Sequence, residues 1–434
     1  MPVATTDSPA SVTTARGQLA IMLAFGFVSG LPLALSGFTL RQWLTEGHIS
    51  IQAIGLTASI GLPYTFKFLW APVLDQIRPL GLLGRLGRRR GWLLTAQPLL
   101  ALACLWLAAS DPQASPTATV AAALCIAFCS ATQDIAIDAW RIESFPVDLQ
   151  GAANAAYVWG YRIAMLVSGA GVIAAAGWIG WHAALLGVAA LAAAGMLVTL
   201  VAREPAVATP YAGQPAGAGR ALSRVGRAVV GSLSEFLARR GAALVLGYVA
   251  LFNLGEAMAG VMLAPFYQHL GFNRAAVATA IGPFSLFASM AGIGLGGWLV
   301  ARLGLGRAMV STGFFQMAAM AMYVMLSLAA GSHALLYATV VVETFAQGLA
   351  TAAFLAYLSG LCSTEHTATQ FALLTSVAPL AANTLGGLSG YLAAYLGWTA
   401  FYAVAMLASL PAMLLMLVIL RRPGSALSRP SGLV

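Results

Sequence analysis

Apolar stretches long enough to cross a bilayer as helices, about 17 to 25 residues each, recur twelve times along the chain. They run over residues 19–40, 51–74, 92–109, 117–140, 152–178, 183–201, 242–268, 276–301, 308–330, 334–360, 368–396 and 399–420, and are numbered here as spans one to twelve. A helix satisfies its own backbone hydrogen bonds in lipid. An open sheet leaves an edge unpaired, and barrel strands need only about ten residues. The pattern therefore predicts an all-α polytopic membrane protein with twelve transmembrane helices.

The longest polar interruption, residues 202–241, divides the spans six and six. It contains Pro205, Pro210, Pro215 and six arginines, and reads as a linker carrying an amphipathic helix near residues 220–240. The expected organisation is a tail at 1–18, a six-helix bundle at 19–201, the linker at 202–241, a second six-helix bundle at 242–420 and a tail at 421–434. Residues 1–17 lack an apolar segment directly after a basic start, which predicts a disordered tail followed by a retained first span rather than a cleaved signal.

Composition agrees: 60% of residues are hydrophobic and 8% charged, and the mean hydropathy is +0.85. Eighteen of the 22 Lys and Arg residues lie in the termini and even-numbered connections, the exceptions being Arg41, Lys67, Arg162 and Arg274. The positive-inside rule then places both termini and the linker in the cytoplasm. The pI near 9.7 follows from that topology, and arginines confined to span ends argue against nucleic-acid binding. Cys125 and Cys129 lack zinc-knuckle spacing, the five histidines are scattered, and neither a phosphate loop nor a nucleophile elbow is found. No enzyme, metal site or cofactor is expected.

The chemistry lies in ionisable groups inside the spans. Span four ends in SATQDIAIDAWRIE, where Asp134, Asp138 and Arg141 share one helical face. A carboxylate at membrane depth costs at least about 2.5–3.5 kcal/mol, so such groups line a protein interior, find partners or mark an ion or substrate path. Span two holds Lys67, the chain's single lysine, and span five holds Arg162; Glu256 and Asn253 lie in span seven, Glu343 and Gln347 in span ten. Acids poised between desolvation and nearby cations suit proton coupling, assigned to Asp134, Asp138, Glu256 and Glu343, although a static ion-pair network has the same signature.

Two loops at equivalent places in the halves are short, basic and Gly-punctuated: Asp75 followed by Arg88, Arg89 and Arg90, and GWLVARLGLGR from Gly297 to Arg307. They resemble the loop signature of the major facilitator superfamily, with Ala71 and Ala301 as departures. The resemblance implies two bundles rocking about a midplane site lined by spans one, four, seven and ten, with Asp75, Arg88, Arg89, Arg90 and Arg302 as a cytoplasmic gate. A drug exporter, an acetyl-CoA-like metabolite carrier and a non-transporting sensor share these coarse features.

A closer resemblance rests on SGLPLAL (29–35), FKFLWAP with Asp75, RRRGWLL (88–94), SATQDIAIDAW (130–140), GYRIAMLVSG (160–169), GLATAAFLAYL (348–358), ATQFALL (368–374) and GWTAFY (397–402). These phrases look like the AmpG family of muropeptide permeases. The resemblance implies a monomeric, proton-coupled inner-membrane importer of N-acetylglucosaminyl-anhydro-N-acetylmuramyl peptides for cell-wall recycling, with an influence on β-lactamase induction. Asn253 stands where members often carry Lys, and several members are longer. For such cargo, Lys67 and Arg162 suit carboxylates, Gln133, Asn253 and Gln347 suit amides and hydroxyls, and Tyr64 and Trp140 suit sugar faces.

Overall fold

The computed structural model describes residues 9–79, 81–146, 149–205, 241–329, 331–361 and 367–421. Among these residues every regular element is helical. Ten helices are long and apolar enough to cross a membrane. Spans two and eleven are the two expected runs that are not among these ten. Span two is divided into helices Ile51–Leu56, Leu62–Phe66 and Ala71–Gln76 by 3-10 turns at Thr57–Gly61 and Lys67–Leu69. Gly61, Pro63 and Pro72 explain the divisions, because glycine gives the backbone freedom and proline removes a donor. Span eleven changes from Thr367–Leu385 through a 3-10 turn at Gly386–Leu388 to Ser389–Leu396.

The segment expected as an N-terminal tail is helical from Pro9 onward, in the helix Pro9–Leu35; proline is tolerated in a first helical turn. The amphipathic helix expected at 220–240 and the tail at 422–434 lie outside the described residues.

Spans five and eight also lose α-regularity, at π-turns Val167–Gly171 and Ala280–Phe284, the second containing Pro283. These interruptions meet across the two halves. Gly282 packs near Ala170, and a Cβ on Gly55 of span two would lie 2.7 Å from the backbone nitrogen of Gly390 in span eleven.

The core is arranged unequally along the membrane normal. Toward the end bearing Glu46 and Arg274, one hydrophobic cluster runs through both halves, from Leu31, Trp43 and Ile54 to Phe266, Tyr323 and Tyr402. Toward the end bearing Arg88 to Arg90 the cores are separate. One gathers Met22, Phe25, Ile137 and Trp140 of the N-terminal half, the other Tyr248, Phe354, Tyr357 and Met413 of the C-terminal half. The two bundles are therefore joined at one end and individually packed at the other.

Within the N-terminal half, spans one and five approach through glycines. A Cβ on Gly160 would overlap the Leu23 carbonyl and lie 2.8 Å from the Phe27 nitrogen; one on Gly30 would lie 2.5 Å from the Tyr161 carbonyl. Small residues let membrane helices pack this closely. Gly160→Val is expected to cut the yield of monodisperse protein by about tenfold or more, since overpacking of a fitted contact costs about 1–3 kcal/mol or above. Gly187→Ala, at a glycine with open space around it, is the matched control. Equal yields of the two variants on size-exclusion chromatography would contradict this packing.

Candidate functional site

Between the halves lies a cavity of about 500 Å3, within the size range of small-molecule sites. Its N-terminal wall contains Arg41, Tyr64 and Arg162, and its C-terminal wall Glu256, Tyr267, Tyr323, Glu343, Gln347 and Asn383. The irregular turns of spans five and eight contribute Gly169, Ala170, Ile281 and Gly282. Asn383 Nδ2 donates to Thr65 Oγ1 at 3.2 Å, tying spans eleven and two beside it.

Of the residues singled out in the sequence, Tyr64, Arg162, Glu256, Glu343 and Gln347 reach this cavity, whereas Lys67, Gln133, Asp134, Asp138, Trp140 and Asn253 do not line it. The four acids therefore fall into two groups. Glu256 and Glu343 are close enough to interact electrostatically; Gln316 Nε2 donates to Glu256 Oε2 at 2.5 Å, and Tyr323 interacts with Glu343.

Asp134 occupies a separate polar pocket inside the N-terminal bundle. Its Oδ1 accepts from Ser29 Oγ at 2.5 Å, and Ser29 Oγ is 2.8 Å from the Tyr157 hydroxyl. Lys67 and Asp138 both act on it electrostatically. Gln133 Nε2 donates to the Val28 carbonyl at 3.3 Å, so the glutamine braces spans four and one. Asp138 is paired with Arg141 at 3.4 Å on its own helix, and its side chain is 41% exposed.

Two expectations need revision. Trp140 presents no ring face to a ligand: it is 2% exposed, lies edge-on to Phe25 and Phe145, and its Nε1 donates to the Arg203 carbonyl at 2.9 Å. Asn253 stands at the break before helix Leu254–Val261, outside the cavity. A bulky indole with one donor is well satisfied in a core where that donor reaches a loop carbonyl.

The residues assigned to a gate make contacts within their own halves. Arg88 and Arg89 pair with Glu143, at 3.1 and 2.5 Å. Glu204 accepts from the backbone nitrogens of Arg89 and Arg90 at 2.8 and 2.9 Å, capping the helix Arg88–Ala109. Arg302 lies over the Trp298 ring, its guanidinium carbon 5.5 Å from the centroid. The Asp75 side chain lies outside the described residues.

A charged link between the halves stands at the opposite end. Glu46, at the end of helix Phe38–Glu46, accepts from Arg274 Nε at 2.8 and 2.9 Å and from Nη2 at 2.5 Å. Glu46 also accepts from Trp181 Nε1 at 2.7 Å and Gln42 Nε2 at 3.0 Å, while Arg274 Nη1 donates to the Ala176 carbonyl at 3.0 Å. Trp43 and Trp181 are buried beside this link and stacked 6.0 Å apart; Trp178 is 93% exposed. One hint of this link is local: Arg274 is among the few cations in odd-numbered connections.

A family model described as the Major Facilitator Superfamily matches residues 20–383 and 255–433. The chain belongs to the major facilitator superfamily. Within it the chain belongs to the AmpG family. It is 37% identical over 401 residues to the anhydromuropeptide permease of Escherichia coli (strain K12), covering 92% of this chain and 79% of that protein. It is also 30% identical over 394 residues to putative transporter AmpG 4 of Rickettsia felis, covering 90% and 94%. Among solved structures, the chain superposes on the peptide transporter POT with a TM-score of 0.72 at 12% identity, covering 95% of this chain and 96% of that one. The D-xylose-proton symporter gives 0.67 at 13% identity, with 93% and 97% covered. These likenesses establish the fold. As a member of this superfamily, the protein is a multi-pass membrane transporter and not an enzyme.

Proposed function

We propose that this AmpG-family transporter imports anhydro-muropeptides across a bacterial inner membrane, in symport with protons, for reuse of cell-wall fragments. The substrate comes from the 37% identical permease; the mechanism rests on the uneven core. One cluster joins the halves at the Glu46–Arg274 end and two separate clusters serve them at the arginine-rich end, as expected of two bundles closed at one side of a central cavity. With the arginine-rich end and both termini cytoplasmic, the closed side is periplasmic and the conformation faces inward.

In this reading the cavity wall binds the cargo through Arg162, Tyr64 and Gln347, and the neighbouring Asp134 carries the proton. Asp134 is buried inside the bundle, with Lys67 near enough to act on it electrostatically. Ser29 and Tyr157 form a hydroxyl chain beside it. Asp138, a helical turn away toward the arginine-rich end, is more exposed and suits release of the proton to that side. Glu46 and Arg274 close the far side.

Substrate class is tested with the full chain in proteoliposomes. Uptake of a labelled anhydro-muropeptide is expected to be suppressed by unlabelled anhydro-muropeptide and unaffected by equal concentrations of acetyl-CoA or free N-acetylglucosamine. Suppression by acetyl-CoA alone would replace the muropeptide reading with that of a metabolite carrier.

A further inference from the structure

Asp134 does not line the cavity, yet polar side chains bridge the distance between the two. Helix Leu62–Phe66 of the broken span two packs against helix Pro116–Ser144 of span four. It brings Tyr64, which lines the cavity, close enough to interact with both Ser130 and Asp134. Ser130 and Asp134 stand four residues apart on span four, so they share one helical face. The titratable and charged groups that interact with Asp134 are Lys67 and Tyr64 from span two, Asp138 from its own helix, and Tyr157 and Tyr161 from span five. Tyr64 is the member of this set that lines the cavity.

Two hydroxyls on this route are unengaged. The Tyr64 hydroxyl and Ser130 Oγ are buried, and neither has a hydrogen-bond partner among the described residues. Leaving a buried hydroxyl unpaired costs its desolvation free energy. A serine or threonine that only packs in a helix escapes that cost by donating to the carbonyl one turn back, as Thr132 does to Phe128 at 2.8 Å and Ser168 to Ala164 at 2.9 Å. Ser130 forgoes that bond although its side chain is fully buried. Its hydroxyl is free to turn between Tyr64 on one side and Asp134 on the other. Ser29 Oγ already donates to Asp134 Oδ1, so Oδ2 is the oxygen left for an incoming proton.

We infer that Tyr64 and Ser130 form the passage by which a proton moves between the cavity and Asp134, and that cargo seated on Tyr64 closes the passage behind it. A hydronium ion in the cavity protonates the Tyr64 oxygen as Tyr64 releases its own proton to Ser130 Oγ. Ser130 in turn releases its own proton to Asp134. Each hydroxyl ends with the one proton it began with, a water is left in the cavity, and the carboxylate is neutral. This deepens the reading of Asp134 as the proton carrier, rests on it, and sets an order of loading: proton first, cargo second. Closure by the cargo keeps a loaded proton from slipping back. Cargo that arrives before the proton seals off a charged Asp134 and stalls the carrier until that cargo leaves.

The test follows initial rates of uptake of labelled anhydro-muropeptide by the full chain in proteoliposomes, over a range of cargo concentrations and at an acidic and an alkaline exterior. At the acidic exterior the rate is expected to saturate simply. At the alkaline exterior it is expected to pass through a maximum and then fall by about threefold or more, as the fraction of carriers loaded in the productive order shrinks. Simple saturation at both would overturn the closure by cargo, and this series decides the point whether or not any variant reaches the membrane. Ser130→Ala is expected to lower gradient-driven uptake by about tenfold or more. Exchange of labelled for unlabelled cargo, which needs no proton to leave Asp134, is expected to stay within about twofold of the unaltered protein. Gradient-driven uptake at the unaltered rate, or an equal loss of exchange, would overturn the passage while leaving proton symport in place. Uptake by the unaltered protein that ignores pH altogether would sink the symport reading, and the passage with it.

Discussion

Asp134→Asn is expected to abolish accumulation of muropeptide against its gradient while leaving exchange of labelled for unlabelled substrate across the membrane. Asparagine keeps the shape of the side chain and an oxygen that can accept from Ser29, so the packing of spans one and four is preserved. It cannot change charge, so no proton travels with the cargo. One pH unit is worth about 1.4 kcal/mol per proton, which supports about tenfold accumulation for each proton carried; the variant should show a ratio near one. Counterflow and gradient-driven uptake in the same proteoliposome preparation separate the two properties. Retained accumulation in the variant would move the coupling to another acid.

Arg274→Gln is expected to shift the resting population by about tenfold toward states open at the Glu46 end. The substitution removes three charge-assisted bonds to Glu46 and one to the Ala176 carbonyl. Bonds to charged groups contribute about 1.5–3 kcal/mol each when well buried. The Arg274 side chain is 37% exposed, so solvent screening reduces the sum to about 1.5 kcal/mol, equivalent to about tenfold. Spin-label pairs placed across each end of the two bundles measure the shift. Exchanging the partners, with Glu46→Arg and Arg274→Glu together, is expected to recover part of the resting distribution, because the cross-half ion pair re-forms while the Trp181 bond is lost. Distance distributions unchanged in Arg274→Gln would show that the apolar cluster alone holds this end shut.

Fold class was legible because length and apolarity set membrane spans almost by themselves, and arginine placement set the loops. The breaks in spans two and eleven were not, since hydropathy averages over Gly61, Pro63 and the Gly386–Gly387 pair without weighing backbone geometry. The site was half legible. Arg162, Glu256, Glu343, Gln347 and Tyr64 stood out as polar or aromatic residues inside spans, and the halves bring them to one cavity. Asp134 stood out equally but belongs to the neighbouring pocket, because a fraction of a helical turn decides whether a side chain faces the opposing bundle or its own. Trp140 misled: an indole reads alike whether it covers a ligand or fills a core, and only its partners Phe25, Phe145 and Arg203 distinguish the two. The Glu46–Arg274 pair spans 228 residues, a separation that no local pattern reports.

The interruptions also have a dynamic meaning. Spans two and eleven meet at Gly55 and Gly390, and spans five and eight at Ala170 and Gly282. These cross-half pairs are also segments with 3-10 or π turns, where a helix bends at lower cost than in a regular α-ladder. Rocking of one bundle against the other would thus be absorbed at the contacts themselves, with the bundles moving as rigid bodies.

The central claim is that a cavity between the two bundles carries muropeptide together with protons, and gradient-driven uptake tests it most directly. Purified full-length protein is reconstituted in liposomes with an outward-alkaline or outward-acidic pH step, and labelled anhydro-muropeptide is followed inside the vesicles. An acidic exterior is expected to drive accumulation above the external concentration, collapsing to equality when a protonophore is added. Uptake that ignores both the direction of the step and the protonophore, or that does not exceed protein-free vesicles, would contradict it.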